Sequence, residues 1–417
     1  MNSSLIGHAS MAPVVLAVFT LTYLGLAVGH VPGLKLNRTG IALLGAIAIT
    51  IVSEQPTTKA VGLINWPTML LLFGFFVLSS QLRLSGFFDK IALDFSSRIK
   101  NPSSFLFVLM LLTAGLSAFL NHDIVCFVFV PIVGTTLLRR RLNPVPFLIA
   151  LAIASNIGAA ATLVGNPQDM MIAQLAKLNF GSYLLWCITP VLFALGCAYG
   201  IIWLMSRRQF ELAIPGGPEA EPTVQPFDRA HTIKGLVILG LVVAFLFSPL
   251  PKEFVALTAA GIHFASTKFK TEDLLKLVDW PILLLFMSLF VVNGVFQETG
   301  YGNQAVQWLE GAGLNLQSSA VLAVVTALLS NLVNNSAAVL LLVKVVNLSH
   351  PQTAYILALA NSFGGSLIIV GSVSNIIVVH QAREMGVRIS FRDFARLGVP
   401  TTLVALGGLL GWVAIVN

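Results

Sequence analysis

The chain has 417 residues, 56% of them hydrophobic and only 10% charged, against about 25% charged in soluble domains. That balance excludes an ordinary soluble globular protein. The net charge of +7 resides in Lys and Arg of short loops between apolar runs, where they set membrane topology, so nucleic-acid binding is excluded as well.

Apolar runs of bilayer-crossing length recur along the whole chain. The first covers 11–28. No basic stretch precedes it, so it reads as a retained span and not a cleaved signal peptide. Further spans are expected over 39–53, 67–83, 144–175, 183–205, 232–247, 254–269, 281–297, 354–380 and 394–416. Two more apolar segments, 103–138 and 318–346, are broken by polar clusters at 121–123 and 330–336. Each reads as two short helices joined by a polar tip, a re-entrant hairpin. Non-helical backbone at that depth is tolerated only inside protein or beside a water-filled cavity. Short interfacial helices are expected over 87–99 and 303–309. Cys126, Cys187 and Cys197 all lie in apolar runs and read as small buried residues, with no disulfide or metal framework.

Two pairs of segments match each other. ASNIGAAATLVGNPQDMMIA (154–173) matches ANSFGGSLIIVGSVSNIIVV (360–379), so that Gly158 meets Gly364, Gly165 meets Gly371 and Asp169 meets Asn375. Both carry Gly and polar residues in mid-membrane, and such paired broken helices point to the binding site of a secondary transporter. The segments starting at Trp66 and Trp280 both begin Trp-Pro and reach Gly twenty residues later, at Gly86 and Gly300. Each half therefore reads as three spans, a hairpin, a broken span and a final span. The five crossings per half make the second half inverted relative to the first. The expected fold is an all-α polytopic membrane protein of two inverted-topology repeats. The first repeat covers 1–206, a cytoplasmic linker rich in Pro, Gly and Glu covers 207–231, and the second repeat covers 232–417. With the N-terminus outside, every Lys and Arg falls in the cytoplasm except Lys59, Lys177, Lys252 and Lys344, a strong positive-inside bias.

Of the 17 acidic residues, only Asp123 and Asp169 are expected at membrane depth, where ionisable groups are costly and functional by default. Asp123 lies at the first tip and Asp169 follows the first break. Capping is the competing account. Asp123 would cap a helix starting at Ile124, and Asn166 would cap a half-helix with Pro167 at its first position and Asp169 in its first turn. Capping and cation binding are compatible. The second half carries amides at the related places, Asn334, Asn335 and Asn375, so the negative charge gathers in the first half. A coupling cation, Na⁺ or H⁺, is expected there. Carboxylates with freed backbone carbonyls suit Na⁺, at Asp123, Asn166 and Asp169. A buried carboxylate raised by desolvation suits H⁺. Gly165, Ser330, Asn331, Gly371 and Asn375 complete the expected coupling-ion set. His122 reads as a proton relay, an anion ligand when charged, or a neutral side chain bonded to hairpin backbone. No Lys or Arg falls in the expected site. A substrate anion would be held by half-helix N-termini and by Asn121, His122, Ser155, Asn156, Asn334, Asn335, Ser336, Asn361, Ser362 and Ser374. That arrangement suits a small anion or a neutral oxyacid better than a large polyanion.

At these residues the chain resembles the ion transporter superfamily. That group includes citrate-transporter-like permeases, divalent anion/sodium symporters, arsenite-efflux permeases and a class of sodium/proton antiporters. The resemblance rests on Asn121-His122-Asp123 with Pro131 downstream, on SNIGAAATLVGNPQD, on LSNLVNNSAAVLLL and on NSFGGSLIIVGSVSN, and it covers nearly the whole chain. It implies two inverted repeats, each with a re-entrant hairpin and an unwound helix, with substrate and coupling ion between tips and unwound loops. Symporter relatives imply a homodimer. The dicarboxylate symporters carry Ser-Asn-Thr at both tips, where this chain has Asn121-His122-Asp123 and Asn334-Asn335-Ser336.

The expected function is secondary active transport of a small inorganic or carboxylate anion across the cytoplasmic membrane, by alternating access coupled to Na⁺ or H⁺. Arsenite or antimonite efflux and sodium/proton antiport are the alternatives. An enzyme is not expected, since no metal-ligand cluster, nucleophile elbow or phosphate loop occurs at a workable spacing. Beyond the coupling ion no cofactor is expected, and the expected partners are the substrate anion, the lipid bilayer and a second copy of the chain, with no nucleic acid.

Overall fold

A computed structural model describes residues 3–29, 33–54, 56–97, 101–210, 224–301 and 314–416, with Gln304, Gln307 and Gly311 between the last two stretches. Helices account for all its regular elements of any length, and no β-strand occurs among the described residues. In chain order they are α1 (Ser3–Val28), α2 (Arg38–Val52), α3 (Thr57–Gly62), α4 (Trp66–Leu84), α5 (Phe87–Ser97), α6 (Pro102–Phe119), α7 (His122–Arg139), α8 (Val145–Ala159), α9 (Pro167–Leu175) and α10 (Phe180–Ser206). The second half has α11 (Arg229–Leu246), α12 (Lys252–Phe264), α13 (Thr271–Lys276), α14 (Trp280–Glu298), α15 (Ser319–Val333), α16 (Asn335–Leu342), α17 (Pro351–Gly364), α18 (Val373–Glu384) and α19 (Phe391–Val416). Seven of the described helices are long and apolar enough to cross a membrane, α4 and α14 among them. The protein is an all-α, multi-pass membrane protein. Of the segment 87–99, residues Phe87–Ser97 are helical as α5, and the segment 303–309 falls mostly outside the described residues.

Helices that begin in or beside an apolar medium have four backbone N–H groups with no water to bond. This chain answers with Asn or Asp at the N-cap. Asn37 accepts from the Gly40 amide, Asn65 from Thr68, Asn179 from Ser182 and Asp279 from Ile282, at 2.9–3.1 Å. Proline follows the cap at α4, α6, α9 and α14, where its missing N–H costs nothing.

Two packing relationships position the site. The first arm of each tip-bearing pair lies along the first half of a broken helix, α6 on α8 and α15 on α17. Glycine permits the approach. A Cβ on Gly158 would stand 2.3 Å from the Ala114 Cα, and one on Gly364 would stand 2.7 Å from the Ala327 Cα. The second arms cross over. α7 packs on α18 and α16 packs on α9, so each second arm lies against the helix that follows the break of the other half.

The linker's end is tied to α4. The Asp228 amide donates to the Ser85 carbonyl at 2.8 Å, the Thr232 hydroxyl to the Ser85 hydroxyl at 3.0 Å and the Gln81 amide to the His231 carbonyl at 2.8 Å. Asp228 caps α11 and also meets Lys268 and, at 3.0 Å, His231 Nδ1. Lys268 first, then the His231 backbone N–H, hold its carboxyl well below the usual carboxylate range. A depressed folded-state pKa stabilises above the unfolded value of about 4 and loses that contribution as pH falls through the folded value. Melting temperature recorded from pH 5 down to pH 2 should therefore fall less steeply in Asp228→Asn than in the wild type. Equal slopes would mean that this cluster does not hold the linker.

Candidate functional site

The two tips are built alike. The Asn121 side chain accepts from the Asp123 amide at 2.8 Å and the Asn334 side chain from the Ser336 amide at 3.0 Å. Asn334 takes φ 88°, a region that Asn tolerates better than most residues with a Cβ. The structure corrects one expectation here. Asn121 is the cap and α7 starts at His122, so Asp123 sits in the first turn and is not the cap of a helix at Ile124. Its carboxylate is thereby free to face the positive end of α7. Asp123 is 7% exposed, and its Oδ1 has no hydrogen-bond partner. The nearest cationic candidate, His122 Nε2, is 3.5 Å away.

At the first break, α8 ends just past Gly158 and the chain folds back on itself. A Cβ on Gly165 would stand 2.2 Å from the Ala159 carbonyl oxygen and 2.7 Å from that of Ser117. The Thr162 hydroxyl donates to the Ala118 carbonyl in the last turn of α6, and the Tyr183 hydroxyl donates at 3.1 Å to the Ala160 carbonyl, which the break frees. Asn166 then caps α9, as expected. It accepts from the Asp169 amide at 2.7 Å, and its Nδ2 donates to Asp169 Oδ2 at 2.6 Å and to the Ser362 hydroxyl at 3.1 Å. Asp169 is fully buried with Oδ1 unpartnered. At the second break, α17 ends at Gly364 and a short 3₁₀ turn, Ile369–Gly371, precedes α18. Asn331 Nδ2 donates to the Ala327 and Gly364 carbonyls, both at 2.8 Å. Asn375 Nδ2 donates to the Gly365 and Ile368 carbonyls at 2.7 and 3.0 Å.

Side chains from the two halves meet directly. Asn156 Nδ2 donates to Asn375 Oδ1 at 2.9 Å, Asn166 Nδ2 reaches Ser362, and Gln168 Nε2 donates to the Ser336 hydroxyl at 2.8 Å. Ser374 bonds Ser372 at 2.8 Å and Asn156 Oδ1 at 3.4 Å. Asn335 Nδ2 lies 3.0 Å from where a Gly365 Cβ would be. Of the expected residues, Asn156 with Ser374 and Asn375, Asn166 with Ser362, and Ser336 with Gln168 thus make three separate cross-half contacts. Ser155 and Ser330 are spent locally, on the Ala152 and Ala327 carbonyls at 2.9 Å, and Ser155 also accepts from Cys126 at 3.2 Å. Asn361 is 1% exposed with neither amide atom partnered. Gly371 lets Asn331 approach, since its Cβ would stand 2.2 Å from Asn331 Oδ1.

Three residues escaped sequence reasoning. Gln168 lies inside the GNPQD motif but carries no charge to mark it. Asp279 caps α14 outside the apolar run, yet it feels Asp123. Its carboxyl is pushed up to about 6, first by burial and then by the Asp123 charge, against the bond from the Ile282 amide. Asn65 at the matching place before the first Trp-Pro was the available signal. Gln381 serves a defect in α7. The Phe127 carbonyl would bond the N–H of residue 131, which is proline and has none. Gln381 Nε2 from α18 supplies the bond at 2.9 Å. Gln381→Leu orphans that carbonyl and should cost about 1–3 kcal/mol. Thermal melting in detergent measures it, and an unchanged melting temperature would mean the bond contributes nothing.

The citrate transporter family model, CitMHS, matches residues 14–360. The chain belongs to this family. It is a membrane transporter and not an enzyme. Relatives include a 46 kDa membrane protein of Mycobacterium leprae, 29% identical, with 97% of this chain and 99% of that protein covered. The silicon efflux transporter LSI3 of Oryza sativa subsp. japonica is 26% identical, with 90% of this chain and 92% of LSI3 covered. Magnetosome protein MamN of Magnetospirillum gryphiswaldense is 28% identical, with 74% of this chain and 71% of MamN covered. Among solved structures, the crystal structure of the YdaH transporter of Alcanivorax borkumensis shares the fold. The TM-score is 0.61 over 97% of this chain and 98% of YdaH, at 15% identity.

Proposed function

We propose that this citrate transporter family member is a secondary active transporter. It moves a small inorganic or carboxylate anion across the cytoplasmic membrane by alternating access, coupled to Na⁺ or H⁺. In this reading 1–206 and 232–417 are inverted repeats, the segments 103–138 and 318–346 are re-entrant hairpins, the N-terminus lies outside and the protein works as a homodimer. The observation that carries the reading is the meeting of two tips and two breaks around Asp123 and Asp169. Each carboxylate is buried and has one oxygen without a partner. Buried ionisable groups at membrane depth mark ion pathways. The helix starts at His122, Pro167, Asn335 and Val373 bring four positive dipole ends to the same region.

A second reading has its own support. The hydrogen bonds that join tips and breaks involve amides, hydroxyls and Asp169, and no Lys or Arg among the described residues. Such a lining fits an undissociated oxyacid, which exchanges hydrogen bonds without needing a counter-charge. The silicon efflux relative LSI3 points the same way, and arsenite or antimonite efflux is the related possibility.

The test is thermal stability of detergent-purified protein against a panel of anions and neutral oxyacids, with and without Na⁺, at acidic and alkaline pH. A ligand that binds the folded state raises the melting temperature by mass action. The expected result is an anion shift that requires Na⁺ or low pH. A shift with Na⁺ alone and no response to any anion or oxyacid would replace this reading with sodium/proton antiport.

A further inference from the structure

The contacts that join the halves include a matched pair of positions that are filled differently. Asn121 and Asn334 are both caps, so Asp123 and Ser336 are both second residues of their helices. Asn166 and Ser372 are both caps, so Gln168 and Ser374 are likewise both second residues. The crossed packing sets α9 against α16 and α18 against α7. Gln168 is therefore matched to Ser374, and Ser336 to Asp123.

On one side the position is closed. Gln168 Nε2 donates to the Ser336 hydroxyl at 2.8 Å, both side chains being buried. On the other side the counterpart of the long carboxamide is a serine, and its hydroxyl is engaged with Ser372 and Asn156. The counterpart of the Ser336 hydroxyl is the Asp123 carboxylate, 7% exposed, whose Oδ1 accepts no hydrogen bond and has His122 Nε2 3.5 Å away. A buried carboxylate oxygen with no donor calls for a cation or a proton. A carboxamide that points its N–H at the tip already supplies positive hydrogen there and leaves no anionic ligand.

We propose that the Gln168 carboxamide stands in for a cation at one of two matched tip positions, so that of the two tips only the one at Asp123 takes a coupling cation. Gln168 is then a residue that sets coupling stoichiometry. This deepens the proposed function and rests on it.

Bound cations are counted on the full-length purified protein. The two probes are equilibrium binding of radioactive Na⁺ at pH 8.5 and proton uptake between pH 8.5 and 5.5 in Na⁺-free buffer. The wild type should bind one Na⁺ or take up one proton that Asp123→Asn removes. Gln168→Glu places a carboxylate against Ser336 and should raise the count by one, while Gln168→Glu combined with Asp123→Asn should return it to the wild-type value. Gln168→Met, which keeps the length and removes the N–H, controls for packing and should leave the count unchanged. A bound cation that survives both Asp123→Asn and Asp169→Asn would overturn the proposal, as would a folded Gln168→Glu protein that gains none. A wild type that binds no Na⁺, and whose proton uptake Asp123→Asn leaves unchanged, would overturn the cation-coupled reading itself, and this inference with it.

Discussion

Asp123→Asn should reduce cation-dependent transport by about 100-fold while leaving the protein folded. The fold is spared because the tip is held through backbone. Asn121 accepts from the amide N–H of residue 123, at 2.8 Å, and an asparagine there keeps that bond. The side chain differs by one group of nearly equal size, so no cavity opens. What is lost is the negative charge and the unpartnered Oδ1. Removing one member of a desolvated charge pair costs about 2–5 kcal/mol, and each 1.4 kcal/mol is about tenfold in affinity. Asp169→Asn is the informative contrast. Asp169 Oδ2 already accepts from Asn166 at 2.6 Å, and an amide, Asn375, stands at the matching position of the second half. An amide at 169 is therefore structurally acceptable, and its effect on transport measures charge alone. Uptake into vesicles under an imposed Na⁺ or pH gradient gives both numbers. Wild-type gradient dependence in Asp123→Asn would mean that the cation sits elsewhere.

The helix breaks were readable because their causes are local. Gly158, Gly165, Gly364 and Gly371, with Asn166-Pro167 and Asn334-Asn335, interrupt apolar periodicity in ways that no uninterrupted span would. The structure ends α8 at Ala159 and starts α9 at Pro167 accordingly. The cap at the first tip was not readable, because Asn121-His122-Asp123 offers two residues able to cap and only the backbone path decides between them. The cross-half bonds were less readable still. Nothing near Gln168 in sequence says that it ends on Ser336, or that Gln381 ends on the carbonyl that Pro131 strands. These are tertiary facts about which helix faces which. Asp279 was missed for a related reason. Outside an apolar run an Asp reads as a solvated loop residue, and only the packed α14 start brings it within the field of Asp123.

Gly158→Val should destabilise the protein more than any other single change considered, by about 3 kcal/mol or more, because overpacking against atoms that cannot move lies at the top of its usual range. The obstacle is backbone. A Cβ at 158 would stand 2.3 Å from Ala114 Cα and 2.4 Å from its carbonyl oxygen. Those atoms belong to the middle of α6, which cannot yield without moving the whole arm that carries the Asn121 tip. In an open helix interior, replacing Gly with a residue that has a Cβ stabilises by about 0.5–1 kcal/mol, so the clash has to reverse the sign. Gly115 provides that open reference on the same arm, since a Cβ there meets nothing within 4 Å. Gly115→Ala should be neutral or stabilising. Gly364→Val should fall between the two. Its Cβ would stand 2.7 Å from Ala327 Cα and 2.9 Å from the Ser330 hydroxyl, and that hydroxyl can rotate away. The expected order of melting temperatures in detergent is Gly115→Ala highest, then Gly364→Val, then Gly158→Val. A Gly158→Val protein that melts like the wild type would show that α6 and α8 separate at little cost. The Asn156 bond to Asn375 would then have to hold the first broken helix against the second without that contact.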